Sequence, residues 1–324
     1  MKAKIKLIVV ATLAAFNLFS NADAIKVATE TKPLKVLMIG NSFSDCVLRQ
    51  APQIAQNLDC PLNITSLYIG GCPLSRHAAN LDTTNAPYMV SWSYCGNSKR
   101  EAVPFAKVLK TRKNKDGKQR PNRFGNLRQM IAADKWDIVT IQQASHDSWR
   151  PESFQPHADK LIAAVRELAP QAQFRIQQTW SYCTADKRIH NPETNGPGTW
   201  GFDQTGMYER LTANYTKLAK DTGFAIIPMG LAVQKFRKAK GIKSHEGDVV
   251  GNIRMENGKA TGDTIHLNGA GHYLQGLVWV GTLFDVDVTK CTYAPKNMDP
   301  ELAKVLRACA AAAVAETRGV QTKK

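Results

Sequence analysis

Short apolar runs alternate with helical patterns from residue 35 onward, and this alternation restricts the chain more than any other feature. Lys35–Ile39 is apolar and stops at Gly40, and Leu62–Ile69 stops at Gly70-Gly71. Trp136–Ile141 stops at Gln142-Gln143, and Phe174–Gln178 and Phe224–Pro228 follow. Each has the length and composition of a buried strand. Helical spacing covers residues 46–58, 122–134, 151–168, 203–221, 270–283 and 300–316. Strands alternating with helices predict a parallel sheet covered on both faces. The expected class is α/β: a three-layer α/β/α sandwich around a central parallel sheet of about five strands, in an open flavodoxin-like order. A ligand in such a sheet sits beyond the carboxyl ends of the strands, where Gly40, Gly70-Gly71 and Gln142-Gln143 fall.

Three stretches interrupt the pattern: residues 85–123, 181–202 and 242–262. They are expected to be loop insertions on one domain, the last a hairpin turning at Asn257-Gly258. Residues 1–24 stand apart. Lys2, Lys4 and Lys6 precede an apolar stretch from about Leu7 to Phe19, and Ala22-Asp23-Ala24 has the small-x-small pattern of a cleavage site. This is the layout of a secretory signal peptide, so residues 25–324 are expected to form a single exported domain, periplasmic or extracellular. Residue 25 is Ile rather than Cys, so no lipid anchor is indicated.

The chain carries 43 Lys and Arg against 27 Asp and Glu, a formal charge of +16. Without residues 1–24 the balance is 40 against 26, or +14. Much of the excess lies in Lys107, Lys110, Arg112, Lys113, Lys115, Lys118, Arg120 and Arg123. Such a surface is either simply solvated or attracts an acidic polymer. Nucleic acid is not expected, because no binding motif accompanies the charge. The seven cysteines show no Cys-x-x-Cys pair and no zinc spacing, so no metal is predicted. Export permits disulfides, but the odd count leaves at least one thiol free.

Two short motifs carry chemistry. Gly40-Asn41-Ser42-Phe43-Ser44 closes the first strand just before a helix. Asn41 and Ser42 are good helix caps, yet a hydroxyl there also points toward the ligand edge. Asp263-Thr264-Ile265-His266 precedes the late helix. A nucleophilic serine needs a base, and the base needs an orienting acid. Asp and His three residues apart can supply both. The serine lacks the closing glycine of the Gly-x-Ser-x-Gly elbow, which argues against an α/β-hydrolase.

The pair of motifs, in this order, resembles the SGNH (GDSL-type) hydrolase superfamily over residues 35 to about 285. The Gly-Asn-Ser-Phe-Ser start and the Gln-rich third block place the resemblance in a secreted bacterial branch near the carbohydrate O-acetylesterases. The resemblance implies Ser42 as nucleophile, His266 as base and Asp263 as its orienter, with no cofactor. It also implies an oxyanion hole from the Ser42 N–H, a glycine after the second strand and a third donor. Gly71 matches the glycine, with Gly70 as the near alternative. The family's Gly-x-Asn-Asp motif is missing here, and Ile141-Gln142-Gln143-Ala144-Ser145-His146-Asp147 stands in its place. His146 takes the offset of the asparagine. Gln143 offers the more similar amide and resembles the Gln-Gly-Glu motif of the sialate and xylan acetylesterases, so it is the preferred third donor.

Arg76 and His77 follow the Gly-Gly turn, and Trp180 and Tyr182 flank the polar loop after the fourth strand. All four are expected to contact substrate. The expected activity is that of a serine esterase removing acyl, foremost acetyl, groups from a carbohydrate, and an acidic polysaccharide suits the charge. A lipase-like hydrolase, a glycan O-acetyltransferase and a non-catalytic glycan-binding relative are the alternatives.

Overall fold

The computed structural model describes residues 32–94, 103–111, 117, 123–191, 193–256 and 259–321. The proposed signal segment therefore lies outside the described residues, as do Cys95, most of the basic run and the 257–258 turn. The parallel strands are β1 (Leu34–Gly40), β2 (Leu62–Tyr68), β5 (Ile138–Ile141), β6 (Gln173–Gln177) and β7 (Ala225–Ile227). Two antiparallel strands, β3 (Tyr88–Tyr94) and β4 (Phe124–Gly125), extend the sheet past β2. The order is β4-β3-β2-β1-β5-β6-β7. The five parallel strands thus have the anticipated flavodoxin-like order, and the sheet has seven strands because β3 forms inside the 85–123 segment and β4 directly after it. Tyr88, Val90, Trp92 and Tyr94 alternate with Met89, Ser91 and Ser93, a period of two that a strand requires. Tyr88 and Val90 are fully buried.

Helices cover both faces. One group comprises α2 (Ala51–Asn57), α7 (Met229–Lys240), α8 (Gly269–Phe284) and α9 (Pro300–Gln321), which pack on one another. The other comprises α3 (Leu74–Ala79), α4 (Leu127–Ala132) and α5 (His157–Leu168). Helix α6 (Gln204–Thr222) packs beside β7; Asp203 caps its start and Gly223, at φ 74°, ends it. A short helix α1 (Ser42–Asp45) comes first, and the expected helix over 46–58 is broken into a 3-10 turn (Cys46–Arg49) and α2, because Pro52 can sit only in a first helical turn. The expected helix over 122–134 shrinks to α4, because the Asn126 side chain accepts from Gln129 N and starts the helix there. Pro156 likewise delays α5 to His157. Helices α3 and α7 were not anticipated.

The third insertion is a hairpin of β8 (Val250–Glu256) and β9 (Lys259–Leu267), forming a sheet of its own. Asp263 and His266 lie on β9, not in a loop entering α8. The base of the hairpin is held by a buried ion pair, Arg237 of α7 with Asp248. Arg237 Nε donates to Asp248 Oδ2 at 3.0 Å and Nη2 to the same oxygen at 2.8 Å. The remaining guanidinium donors reach Ser181 Oγ and the carbonyls of Ser181 and Tyr182. Asn268, the cap of α8, donates to the Asp248 carbonyl at 2.7 Å.

Among the described residues, no helix is long and apolar enough to cross a membrane. The six described cysteines all carry free thiols.

Candidate active site

Because β1, β2, β5 and β6 run parallel, their carboxyl ends meet at one edge of the sheet. Gly40 ends β1, and a Cβ there would lie 2.2 Å from Ser44 Oγ, so only glycine lets the chain turn this tightly into α1. Asn41 does cap α1, its Oδ1 accepting from Phe43 N at 3.0 Å. It does more than that: Oδ1 also accepts from Gln142 Nε2 at 2.6 Å, and Nδ2 donates to Cys72 O at 3.1 Å. One buried amide therefore ties together the turns after β1, β2 and β5. The Phe43 carbonyl accepts from Gln177 Nε2 at 2.6 Å and Gln275 Nε2 at 2.7 Å. Ser42 is held between these anchored neighbours and is itself partly exposed.

Ser42 Oγ lies 2.7 Å from His266 Nε2, and His266 Nδ1 lies 2.6 Å from Asp263 Oδ2. The other carboxylate oxygen accepts from the backbone N–H groups of Ile265 (2.9 Å) and His266 (3.0 Å). Partial burial works against the Asp263 charge. The two backbone donors and the His266 ring outweigh it and hold the carboxyl below the usual range. An ionised carboxylate only accepts, so the Nδ1 proton faces Asp263 and Nε2 is left to accept the Ser42 hydrogen. That is the protonation pattern a serine nucleophile needs.

These atoms open into a cavity of about 270 Å³, lined by Asn41, Ser42, Phe43, Tyr68, Gly70, Gly71, Ser145, His146, Ile265 and His266. Gly71 takes φ +57°, a left-handed turn that exposes the Gly70-Gly71 backbone to the cavity. His146 faces it, with Cε1 4.0 Å from the point a Gly71 Cβ would occupy. Its Nε2 lies 3.6 Å from Asp147 Oδ2.

Gln143 is elsewhere. Its Oε1 accepts from Leu74 N (2.9 Å) and Ala144 N (2.7 Å), and its Nε2 donates to Ser153 O (2.7 Å) and Ser153 Oγ (3.0 Å). The amide is fully buried and spent on pinning the start of α3, so the preference for Gln143 as third oxyanion donor is corrected. A Gln143→Leu variant is expected to lose roughly 1–3 kcal/mol of stability, the cost of stranding buried partners, with turnover per folded molecule close to wild type. Thermal melting read beside ester hydrolysis separates the two effects.

The expected substrate contacts also need correction. Trp180, Tyr182 and His77 are all fully buried. Tyr182 Oη lies 2.9 Å from Ser145 Oγ, and the Arg188 guanidinium covers its ring at 4.6 Å. His77 Nδ1 lies 2.9 Å from Tyr88 Oη, and burial pushes the imidazole down to about 3, so it is neutral. Arg76 is exposed on α3 but is not among the residues lining the cavity. Tyr68, Ser145 and Ile265 line the cavity and were missed. Tyr68 had a readable signal, being an aromatic residue at the carboxyl end of a parallel strand.

Beside the cavity, Asp186 accepts from Thr264 Oγ1 at 2.6 Å and is paired with Arg188, whose Nη2 lies 2.5 Å from Asp186 Oδ2. Thr264 sits between Asp263 and His266, so this pair braces the strand that carries them.

The family model described as "Domain of unknown function (DUF4886)" matches residues 35–313. The crystal structure of a DUF4886 family protein from Bacteroides uniformis is 27% identical, with a TM-score of 0.65, covering 88% of this chain and 95% of that chain. An SGNH-type structure from Slackia heliotrinireducens is 19% identical, with a TM-score of 0.44, covering 78% of this chain and 100% of that one. Phospholipase A1 from Streptomyces albidoflavus is 13% identical, with a TM-score of 0.42, covering 77% and 98%. No curated protein matches the chain. The five parallel strands follow the order β2-β1-β5-β6-β7, the flavodoxin-like order expected from the sequence.

Proposed function

The chain belongs to the DUF4886 family, and from that premise we propose that it is an exported serine esterase that removes short acyl groups from a carbohydrate. The observation that carries the reading is the Ser42–His266–Asp263 alignment, 2.7 Å and 2.6 Å, at the mouth of the cavity. Ser42 Oγ attacks the ester carbonyl while its proton passes to His266 Nε2. Asp263 holds the imidazolium. The tetrahedral oxyanion lies against the Ser42 and Gly71 N–H groups, with His146 as the third donor. His266 then protonates the leaving alcohol, and water, deprotonated by His266, attacks the acyl enzyme to release the acid and restore Ser42.

A cavity of about 270 Å³ walled by Tyr68, His146 and Ile265 suits an acetyl group better than a long chain. Fluorophosphonate should label Ser42, and p-nitrophenyl acetate should be preferred over the decanoate by at least about tenfold in kcat/KM, roughly 1.4 kcal/mol. Removing one oxyanion donor costs roughly 10²-fold in other hydrolases, so His146→Ala should lower kcat by about that factor. Absence of labelling, or equal rates on both esters, counts against this reading.

The net positive charge favours an acidic glycan. Lys107, Lys110 and Arg123 of the basic run lie among the described residues. Deacetylation of acetylated pectin should exceed that of acetylated xylan at low salt and converge with it as salt rises, because the Debye length falls from about 30 Å at 0.01 M to about 10 Å at 0.1 M. Equal rates at both salt concentrations would make the basic run a solvated surface.

A further inference from the structure

Ser42 and His266 are 224 residues apart in the chain, and one side chain touches the immediate neighbour of each. Trp180 follows β6 at the ligand edge and is fully buried. Its ring stacks on Phe43, with centroids 4.1 Å apart and planes 13° from parallel. Its indole Nε1 donates to the Ile265 carbonyl at 2.9 Å. Phe43 is the residue after Ser42, and Ile265 the residue before His266. The Phe43 ring also lies against the His266 ring, at 5.6 Å and tilted by 56°.

The two anchorages differ in kind. The nucleophile turn is held by Asn41, Gln142, Gln177 and Gln275. The His266 strand belongs to a two-stranded sheet outside the main one. Above the Arg237–Asp248 pair at its base, the hairpin is tied at Thr264, whose hydroxyl donates to Asp186 at 2.6 Å and whose carbonyl accepts from Cys183 N at 3.1 Å. The indole N–H bond falls beside the histidine and links the strand to the ring packed on the nucleophile turn. Because the ring is stacked on one side and bonded through its only polar atom, it cannot rotate without breaking a contact.

We infer that Trp180 is a positioning residue: its indole sets the separation and angle between Ser42 Oγ and His266 Nε2 by spanning Phe43 and Ile265. This rests on the esterase reading above. Misplacing reacting groups by about 1 Å can cost roughly 10²-fold in rate, so the effect should fall on kcat and not on KM.

The test uses Trp180→Phe, which keeps an aromatic ring and deletes the donor, and replacement of Trp180 by benzothienylalanine, which keeps the bicyclic shape and deletes only the N–H. Three quantities are read on the full chain: melting temperature, kcat and KM for p-nitrophenyl acetate, and the downfield NMR signal of the proton between His266 Nδ1 and Asp263 Oδ2. The expected result is a kcat about 10–100-fold lower in both variants, an almost unchanged KM, and a downfield signal broadened by exchange with water. A benzothienylalanine protein that melts like wild type with unchanged kcat and an unchanged signal would overturn the proposal. So would a rate loss matched by the unfolded fraction alone. If the wild type neither hydrolyses esters nor takes up fluorophosphonate, the esterase reading fails, while the NMR signal, read without substrate, still decides whether Trp180 holds the His–Asp pair.

Discussion

A Ser42→Ala variant is expected to lose roughly 10⁴–10⁶-fold in kcat toward p-nitrophenyl acetate, the range seen when a serine nucleophile is deleted from a working triad. The fold should survive the change. Ser42 is partly exposed, its side chain bonds to His266, and the neighbouring turn is held by Asn41, Phe43 and the buried glutamines. His266→Ala should be about as damaging, since the proton of Ser42 would have no acceptor. Asp263→Ala should cost less, because the imidazole can still accept the proton with a poorer orientation. Asp263→Asn tests orientation directly: the amide can donate to Nδ1, favouring the tautomer in which Nε2 carries the hydrogen and cannot accept from Ser42. Unchanged turnover in purified, folded Ser42→Ala protein would remove serine chemistry from consideration altogether.

The second large effect concerns stability. Asp248→Ala is expected to destabilise the protein by roughly 3–5 kcal/mol, because it strands a buried guanidinium. Arg237 and Asp248 side chains are 4% and 0% exposed, and Asp248 also accepts from Val249 N at 2.7 Å. Arg237→Met should cost a similar amount for the mirror reason. The double variant should cost less than the sum of the two, since neither partner is then left charged and alone. Denaturant melts of the three variants check this, and strict additivity would mean that the two side chains do not interact. Because the pair sits at the hairpin base, a loss of hydrolysis before global unfolding is also expected on mild heating of Asp248→Ala.

The parallel part of the fold was legible because each strand is a short apolar run ending in Gly, Gln or Pro. The antiparallel extension was not, although Tyr88, Val90, Trp92 and Tyr94 alternate strictly. The polar and basic character of residues 85–123 as a whole masked that period. The proposed triad was legible for a different reason: Gly40-Asn41-Ser42-Phe43-Ser44 and Asp263-Thr264-Ile265-His266 are short local patterns, and their order along the chain gave the pair a meaning that neither carries alone. What surrounds them depends on tertiary packing. Gln143 and His146 are three residues apart and chemically plausible in the same role, and only the turn after β5 decides that one amide is buried against α3 while the imidazole faces Gly71. Trp180 and Tyr182 flank a polar insertion, which suggests a rim. The insertion instead folds over them, with Arg188 covering Tyr182 and Trp200 packed against Trp149 at 5.3 Å.

The wide separation of Ser42 from His266 has a consequence during synthesis. A chain emerges with its amino-terminal part first, at synthesis and at export alike, and its early elements can associate first. Strands β1, β2, β5, β6 and β7 are complete by Ile227, and the hairpin strand bearing His266 comes afterward. The chain can therefore pair its five parallel strands while Ser42 still has no proposed base beside it, and α8 and α9, which complete one face, come later still. The proton acceptor arrives only when the hairpin docks at its Arg237–Asp248 root. A truncation between residues 228 and 265 would yield a product that retains all five parallel strands and lacks the proposed base of Ser42.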